Sequence, residues 1–560
     1  MKIAIAQNNY TVGDVVGNAR KVIDSYVHAC CQQADLVVAT ELCFLGYPPK
    51  DLLWRDDLIQ LQKNSAMAAR ELARREKTGL VVGMATNSGH DRLLNNAAWL
   101  MDGNRLTGTW KTFLPTYDVF DETRYFKAKD FGPVRLIEFR GLLIAILICE
   151  DSWGGNETGQ PNIYDGNLIS QIAEGKVISP DLRQKPDLLI TINASPYYWG
   201  KGNVRFDLIS RIAKRIGCPV IYANQVGGND ELVFDGRSFA VDANGTCIGA
   251  AKTFEEDLVF IDLDNPTPAE YPFDAENLDD LRETLVLGIR DYFGKCGFEK
   301  GVVGLSGGVD SSVTLCLGVE ALGPDNMLAI YMPSPFSYEQ SRREAEAQAR
   351  NLGVELRTIS IEEGYRAFRN MLTPAIGWND PGAVQGDVTA ENVQALVRGM
   401  ILMAAANKEG RMVLSTGNKS ELAVGYCTLY GDMAGGLSVI GDLPKTLVYR
   451  LAKHLNRECE MIPEDVITRE PSAELAPGQK DADALPPYEV LDPILDLAVG
   501  ENMNAHRIIM EGYDEDDVVR ALSLLKKGEY KRGQAAPVLK VSQKAFGSGR
   551  RMPIAANYPL

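Results

Sequence analysis

The run Ser306-Gly-Gly-Val-Asp-Ser-Ser312 has the residue types of a phosphate-binding turn. Apolar Gly301-Val-Val-Gly-Leu305 precedes it and Val313-Thr-Leu-Cys-Leu-Gly318 follows, so the expected order is strand, glycine turn, helix. Paired glycines let the backbone approach a phosphate closely, and a helix N-terminus turns unpaired N–H groups toward the anion. Asp310 adds a hard carboxylate suited to Mg²⁺, and Ser306, Ser311 and Ser312 add hydroxyls. A Walker A loop is excluded, because Gly-Lys-Ser/Thr is absent. A bare Gly-Gly pair would read as a turn before a core helix; seven residues of this kind after a strand favour phosphate chemistry. A second reactive group, Cys149, closes the apolar run Leu142-Leu-Ile-Ala-Ile-Leu-Ile148. Alone, such a cysteine is more often a small core residue than a nucleophile.

Both sets need a scaffold, and the chain supplies an alternating one. Leu36-Val-Val-Ala39, Gly79-Leu-Val-Val-Gly83, Leu188-Leu-Ile-Thr-Ile192 and Val220-Ile-Tyr-Ala223 are apolar throughout, as expected of strands buried on both faces in an α/β architecture. The Pro-rich stretch Asp262 to Phe273 is the best linker candidate, dividing the chain into 1–265, a linker 266–277 and 278–560. Beyond it the pattern predicts a helix over about Leu278 to Phe293, a strand Met327–Met332, a helix from about Tyr338 to Leu352 and a strand Val354–Ile359. Two polar stretches, 376–386 and 469–483, read as lids over the phosphate site.

With 560 residues the chain exceeds one hydrophobic core, and its formal charge of −17 argues against non-specific nucleic-acid binding. No apolar run is long enough to span a bilayer. The ten cysteines lack a Cys-x-x-Cys pair, which points to a reduced, cytoplasmic protein. Only four histidines occur, so a His-rich metal site is disfavoured.

The first half resembles the nitrilase superfamily over about residues 1–260. The likeness rests on Ala39-Thr-Glu-Leu-Cys-Phe-Leu-Gly-Tyr-Pro-Pro49, the stretch from Lys111 to Phe126, Ile148-Cys-Glu-Asp-Ser-Trp153, Asn193-Ala-Ser-Pro196 and Asn224-Gln-Val-Gly-Gly228. It implies an αββα sandwich and a Glu41-Lys111-Cys149 triad. The residue types suit that use: Glu41 can take the thiol proton, Lys111 can hold the thiolate and polarise an oxyanion, and Cys149 can attack a carboxamide, release ammonia and leave a thioester. Glutamine-hydrolysing relatives further imply substrate contacts at Tyr117, Glu150, Ser195 and Lys201. A lysine cannot form the planar fork on a carboxylate that an arginine would at the last position.

The Ser306–Ser312 loop resembles that of N-type ATP pyrophosphatases, which split ATP into AMP and pyrophosphate while adenylating a substrate. With the segments Thr416–Asp432, Asp442–Tyr449 and Arg469–Leu475 and the tail from Tyr530 to Ile554, the resemblance narrows to the two-domain, glutamine-dependent NAD⁺ synthetases and covers nearly the whole chain. It implies a Rossmann-like parallel-sheet domain. ATP contacts would fall on Gly304, Leu305, Ser306, Gly307, Gly308, Val309, Asp310, Ser311, Ser312, Thr416, Lys445 and Ser472, with Mg²⁺ on Asp310 and Glu421. Nicotinic acid adenine dinucleotide would lie near Asn392, Arg398, Glu421, Asp432 and Lys531. Relatives carry Arg where this chain has Leu396. Tyr426, Tyr430 and Trp378 could stack on nucleotide rings or fill core. The expected partners are small molecules (L-glutamine, ATP and the dinucleotide) and a second copy of the chain, without nucleic acid or membrane. Because ammonia is mostly protonated in neutral water, an enclosed route between the sites is expected. The competing readings are a GMP- or asparagine-synthetase-type amidotransferase and a non-catalytic nucleotide sensor.

Overall fold

The computed structural model describes residues 1–89, 93–103, 105–154, 164–271, 277–381, 383–384, 387–483 and 485–560. The chain divides into two compact units, Met1–Asn277 and Leu278–Leu560.

Strands buried on both faces build the first unit. Its six-stranded sheet runs, edge to edge, Asp257–Asp262, Lys2–Gln7, Leu36–Val38, Gly79–Asn87, Leu94–Asp102 and Arg105–Trp110. Its seven-stranded sheet runs Cys247–Ala250, Phe239–Val241, Val220–Asn224, Leu188–Asn193, Leu142–Ile148, Val134–Phe139 and Val177–Ile178. Alternate residues separate the layers. Ile3, Ile5 and Val38 meet Ile144, Ile146, Ile148, Ile190 and Ile221 between the two sheets. Their neighbours Ala4, Ala6 and Val37 turn outward onto Val22, Tyr26, Ala66 and Ala73 of the helices Val15–Cys31 and Asp56–Glu76. On the other side Leu143, Ala145, Leu147 and Leu189 meet Ile169, Ile172, Leu208 and Ile212 of the helices Leu168–Ala173 and Lys201–Ile216. The result is the four-layer αββα sandwich, whose inner strands are apolar on both faces because both faces are covered.

The linker candidate is fastened to this unit as far as it is described. Ala269 N–H donates to the Cys247 carbonyl, and the Tyr271 ring stacks on Phe206 at 4.8 Å. A Pro-rich, polar composition does not reveal that one aromatic has a slot to fill. Residues 272–276 of that stretch lie outside the described residues.

The second unit carries a five-stranded, wholly parallel sheet in the order Glu355–Thr358, Met327–Tyr331, Lys300–Gly304, Arg411–Ser415, Leu437–Ser438. Strand order reverses beside Lys300–Gly304, and in such sheets ligands bind beyond the carboxyl ends of the strands at that point. Val302, Leu328, Ile330 and Val413 bury one face against Ile361, Tyr365, Val393, Val397 and Ala406 of the flanking helices. The helix after the phosphate turn spans Val309–Leu322, four residues earlier than the apolar pattern marks. Asp310, Ser311 and Ser312 therefore sit in its first turn, where an acid is favoured. Of the two polar stretches, 376–386 includes Gly382, Gln385 and Gly386, which lie outside the described residues, while 469–483 is described and is fixed in place as set out below. No helix among the described residues is long and apolar enough to cross a membrane.

Candidate active sites

In the first unit the Leu142–Ile148 strand ends in a sharp turn. Cys149 has φ 44° and opens the short 3₁₀ segment Cys149–Ser152. That left-handed conformation is strained for a residue with a Cβ and marks a site the surroundings hold in place. Asp151 does the holding. It accepts from the backbone N–H groups of Thr112 and Phe113, both at 2.9 Å, and of Ile148 at 3.3 Å, which locks the cysteine turn to the segment carrying Lys111.

Glu41, Lys111 and Cys149 are all brought together and buried. Lys111 Nζ donates to Glu41 Oε1 and to Glu122 Oε1, each at 2.8 Å. Asn96 Nδ2 also donates to Glu41 Oε1 at 2.7 Å, and Ala194 N–H donates to Oε2 at 3.1 Å. Oε1 thus takes two donors and Oε2 one, so Oε2 keeps the lone pair with which a base would act. Burial pushes the Cys149 thiol well up, and the Glu41 charge adds to this against the pull of Lys111. Burial opposes the charge on Lys111, but Glu122 and Glu41 together outweigh it and hold the ammonium. The resting site is therefore a protonated thiol beside a carboxylate and a fixed cation. That is the arrangement needed to move a proton only as a substrate carbonyl arrives.

Glu122 was not legible as a site residue. Burial raises it to about 7 despite Lys111, and it also accepts from the Tyr47 hydroxyl at 2.9 Å. The available signal was an acid in a stretch rich in aromatics, eleven residues after Lys111. The glutamine-pocket candidates also converge. The Tyr117 hydroxyl donates to Glu150 Oε2 at 2.9 Å. Ser195 N–H donates to Asn224 Oδ1 at 2.8 Å, and Lys201 Nζ to the Pro196 carbonyl at 2.8 Å. Buried Arg205 donates from Nη1 to both Asp235 oxygens and from Nη2 to the Ser195 carbonyl at 2.7 Å, which pins the Asn193–Pro196 segment.

In the second unit a cleft of about 500 Å³ opens above the sheet's carboxyl ends. Gly304, Leu305, Ser306, Gly308, Val309, Asp310 and Ser311 form one wall, and Arg398, Thr416, Glu421, Asp432, Lys445 and Ser472 the others. Gly307 lies behind the wall with φ 81°; a Cβ there would stand 2.5 Å from the Ser341 carbonyl oxygen, so only glycine fits. Its own carbonyl accepts from Arg469 Nη2 at 2.7 Å. The loop serines brace one another: Gly308 N–H donates to Ser306 Oγ at 3.2 Å, and Ser311 Oγ donates to the Gly308 carbonyl at 2.9 Å. Ser312 is turned into the core, with its hydroxyl unpaired, and does not reach the cleft.

Lys445 opens the helix Lys445–Leu455, whose first turn is capped from outside by Asp492 through Thr446 N–H at 2.9 Å. Its ammonium pairs closely with Asp310 Oδ2 and lies 3.5 Å from Glu421 Oε1. Asn418 caps the helix Lys419–Val424 and donates to Asp310 Oδ1 at 3.0 Å. Burial and the adjacent Asp310 raise Glu421 to about 8, even with Lys445 nearby. Two partly buried acids sharing one lysine are short of positive charge. A hard divalent cation suits these oxygen donors, so Asp310 and Glu421 fit Mg²⁺.

The 469–483 stretch is clamped to the phosphate loop. Arg469 Nη1 donates to Ser341 Oγ at 3.0 Å. Glu474 accepts from Tyr338 N–H at 3.1 Å, and Gln394 Nε2 donates to the Leu475 carbonyl at 2.8 Å. Ser472 Oγ donates inward, to the Gln479 carbonyl at 2.6 Å. Two of the dinucleotide candidates stand apart from the cleft lining. Lys531 donates to the carbonyls of Gly425 and Cys427, both at 2.7 Å, and Asn392 accepts from Thr428 Oγ1 at 2.8 Å. Both support the loop that presents Asp432, which burial raises to about 6. Leu396 is exposed and lies outside the lining, while Arg398, two residues on, enters the cleft and donates to the Met332 carbonyl at 3.0 Å. Tyr426 lines the cleft, Tyr430 is largely exposed, and Trp378 packs edge-on against Tyr365.

Fold and sites together define the class: a thiol amidohydrolase unit followed by a nucleotide-dependent synthetase unit in one chain. Comparison with known proteins agrees. The carbon-nitrogen hydrolase family matches residues 2–273 and the NAD synthase family residues 281–535. A glutamine-dependent NAD(+) synthetase of Synechocystis sp. is 42% identical over 99% of this chain and 98% of its own. That of Thermotoga maritima is 38% identical over 99% and 98%. The solved structure of the Acinetobacter baumannii glutamine-dependent NAD+ synthetase, in complex with adenosine diphosphate, is 35% identical with a TM-score of 0.75, covering 99% of this chain and 98% of that one. The chain belongs to the glutamine-dependent NAD(+) synthetases.

Proposed function

We propose that Glu41, Lys111 and Cys149 hydrolyse L-glutamine, and that the ammonia released amidates the nicotinate carboxylate of nicotinic acid adenine dinucleotide, activated by AMP in the second cleft. The products are NAD⁺, AMP, pyrophosphate and glutamate, and the step completes a nicotinamide dinucleotide. Glu41 Oε2 takes the thiol proton as Cys149 attacks the carboxamide. Lys111 steadies the developing oxyanion, and water resolves the thioester. In the synthetase cleft the glycine turn and the first turn of the Val309–Leu322 helix face the ATP phosphates, and Lys445 supplies a point cation. Mg²⁺ held by Asp310 and Glu421 would neutralise phosphate charge. A carboxylate is a poor electrophile until AMP becomes its leaving group, which is why the pyrophosphatase-type loop suits this acid.

The observation that carries the reading is the joint presence of a buried Glu41–Lys111 pair beside Cys149 and a Lys445–Asp310–Glu421 cluster at the phosphate turn. With amide-¹⁵N glutamine, ATP, Mg²⁺ and the deamido dinucleotide, mass spectrometry should find ¹⁵N in NAD⁺ with AMP in equal amount. ADP, or an unlabelled product, would refute it. Xanthylate or aspartate amidation would favour the competing synthetases.

The chain also reads as a homodimer at least. Leu396, Met400 and Met403 lie at i, i+4 and i+7 on one exposed face of the helix Thr389–Glu409, an apolar stripe suited to a second copy. Sedimentation should give twice the chain mass or more, and a monomer would remove the proposal. The free thiols, Cys149 among them, suit a reducing cytoplasmic setting.

A further inference from the structure

Glu150 differs from the other carboxylates around the thiol. Glu41 and Glu122 are both held by the Lys111 ammonium, whereas Glu150 is held by neutral phenols. Tyr117 donates to Oε2 at 2.9 Å and Tyr164 lies 3.2 Å from Oε1. Each phenol has one proton, so the pair places one donor on each oxygen. A buried carboxylate stays charged only if donors hold it. Two phenols do so without cancelling the charge, which leaves a negative group free to meet a cation on the substrate. Tyr164 is itself fixed: its ring stacks on Phe113 at 4.5 Å, and Phe113 is tied by its N–H to Asp151 beside the nucleophile.

We propose that Tyr164 is a positioning residue for Glu150, setting the amidase pocket's preference for a carboxamide whose far end carries an α-ammonium. The assignment rests on the glutamine reading above. Glu150 is faced by Lys111, Tyr117, Tyr164, Lys201 and Cys149. Burial raises it, and Lys111, the two phenols and Lys201 oppose that rise. Losing one phenol therefore lets Glu150 take up a proton at higher pH, and the neutral acid no longer attracts an ammonium.

The test is Tyr164→Phe with all substrates present, comparing glutamine with glutaramate, the same amide without the α-amino group. KM for glutamine should rise about tenfold, on the scale of a hydrogen bond to a charged group, with kcat within about twofold. The pH below which KM climbs should move up. KM for glutaramate and NAD⁺ formation from ammonium should not change. Equal losses on both amides, or a fall in kcat at constant KM, would overturn the assignment. A wild-type enzyme unable to hydrolyse glutamine would overturn the proposed function and Tyr164's role with it; a normal wild type with an unselective variant overturns Tyr164 alone.

Discussion

Cys149→Ala should abolish NAD⁺ formation from glutamine and leave formation from ammonium within about twofold. Removing a nucleophile from a set that works as a unit typically lowers turnover by about 10⁴-fold to 10⁶-fold. The loss should be clean. Alanine fits wherever cysteine does, and the turn at φ 44° is held by Asp151 and its three backbone donors rather than by the thiol. Glu41 and Lys111 keep their pair and their other partners. The second unit, with its own sheet and core, is untouched by the change. Initial rates with saturating glutamine and then with saturating ammonium chloride measure both arms. Loss of both would show that Cys149 is needed for more than supplying ammonia.

What could be read in advance was what depends on near neighbours. Leu142–Ile148 is apolar throughout and Leu188–Ile192 is so but for Thr191, and that alone places them inside a covered sheet. The glycine turn and Asp310 were legible because the chemistry sits in seven consecutive residues. Pairings across long separations were not. Glu122 reaches Lys111 from within an aromatic-rich stretch that gives it no pattern of its own, and Asp151 looks like one more acid after Cys149 until its three backbone donors are seen. Asn418 meets Asp310 across 108 positions, and Arg469 meets Gly307 across 162. Lys531 has partners that its motif does not reveal. Its ammonium donates to two backbone carbonyls. A long side chain can satisfy many partners, and composition does not say which lies within reach. The early start of the Val309–Leu322 helix has a local cause: Gly308 is extended at φ −97° and ψ 158° and serves as the N-cap, so Val309 and the three polar residues after it already belong to the first turn.

Asp310→Asn should give the opposite pattern from Cys149→Ala: loss of AMP and pyrophosphate release with either nitrogen source, by about 10³-fold, the scale of removing one preorganised electrostatic contact. Asparagine keeps the shape and can still accept from Asn418, so the helix and the turn should persist. What disappears is the charge that holds Lys445 and, with Glu421, makes a hard-oxygen site. Glu421 supplies a second readout with a fixed sign. Burial and the Asp310 charge hold it at about 8. With that charge gone, burial remains but the repulsion does not, so Glu421 should ionise at lower pH. A pH titration of the carboxylate infrared band reads this, and an unmoved Glu421 would detach it from Asp310. Ammonium-driven AMP release at the wild-type rate would refute the placement of activation at this cluster. An alternative, that Asp310 merely stabilises the first helical turn, predicts a lower melting temperature with pyrophosphate release intact; the proposed role predicts the reverse, because Lys445 retains Glu421 as a partner and the capped turn does not depend on the Asp310 charge.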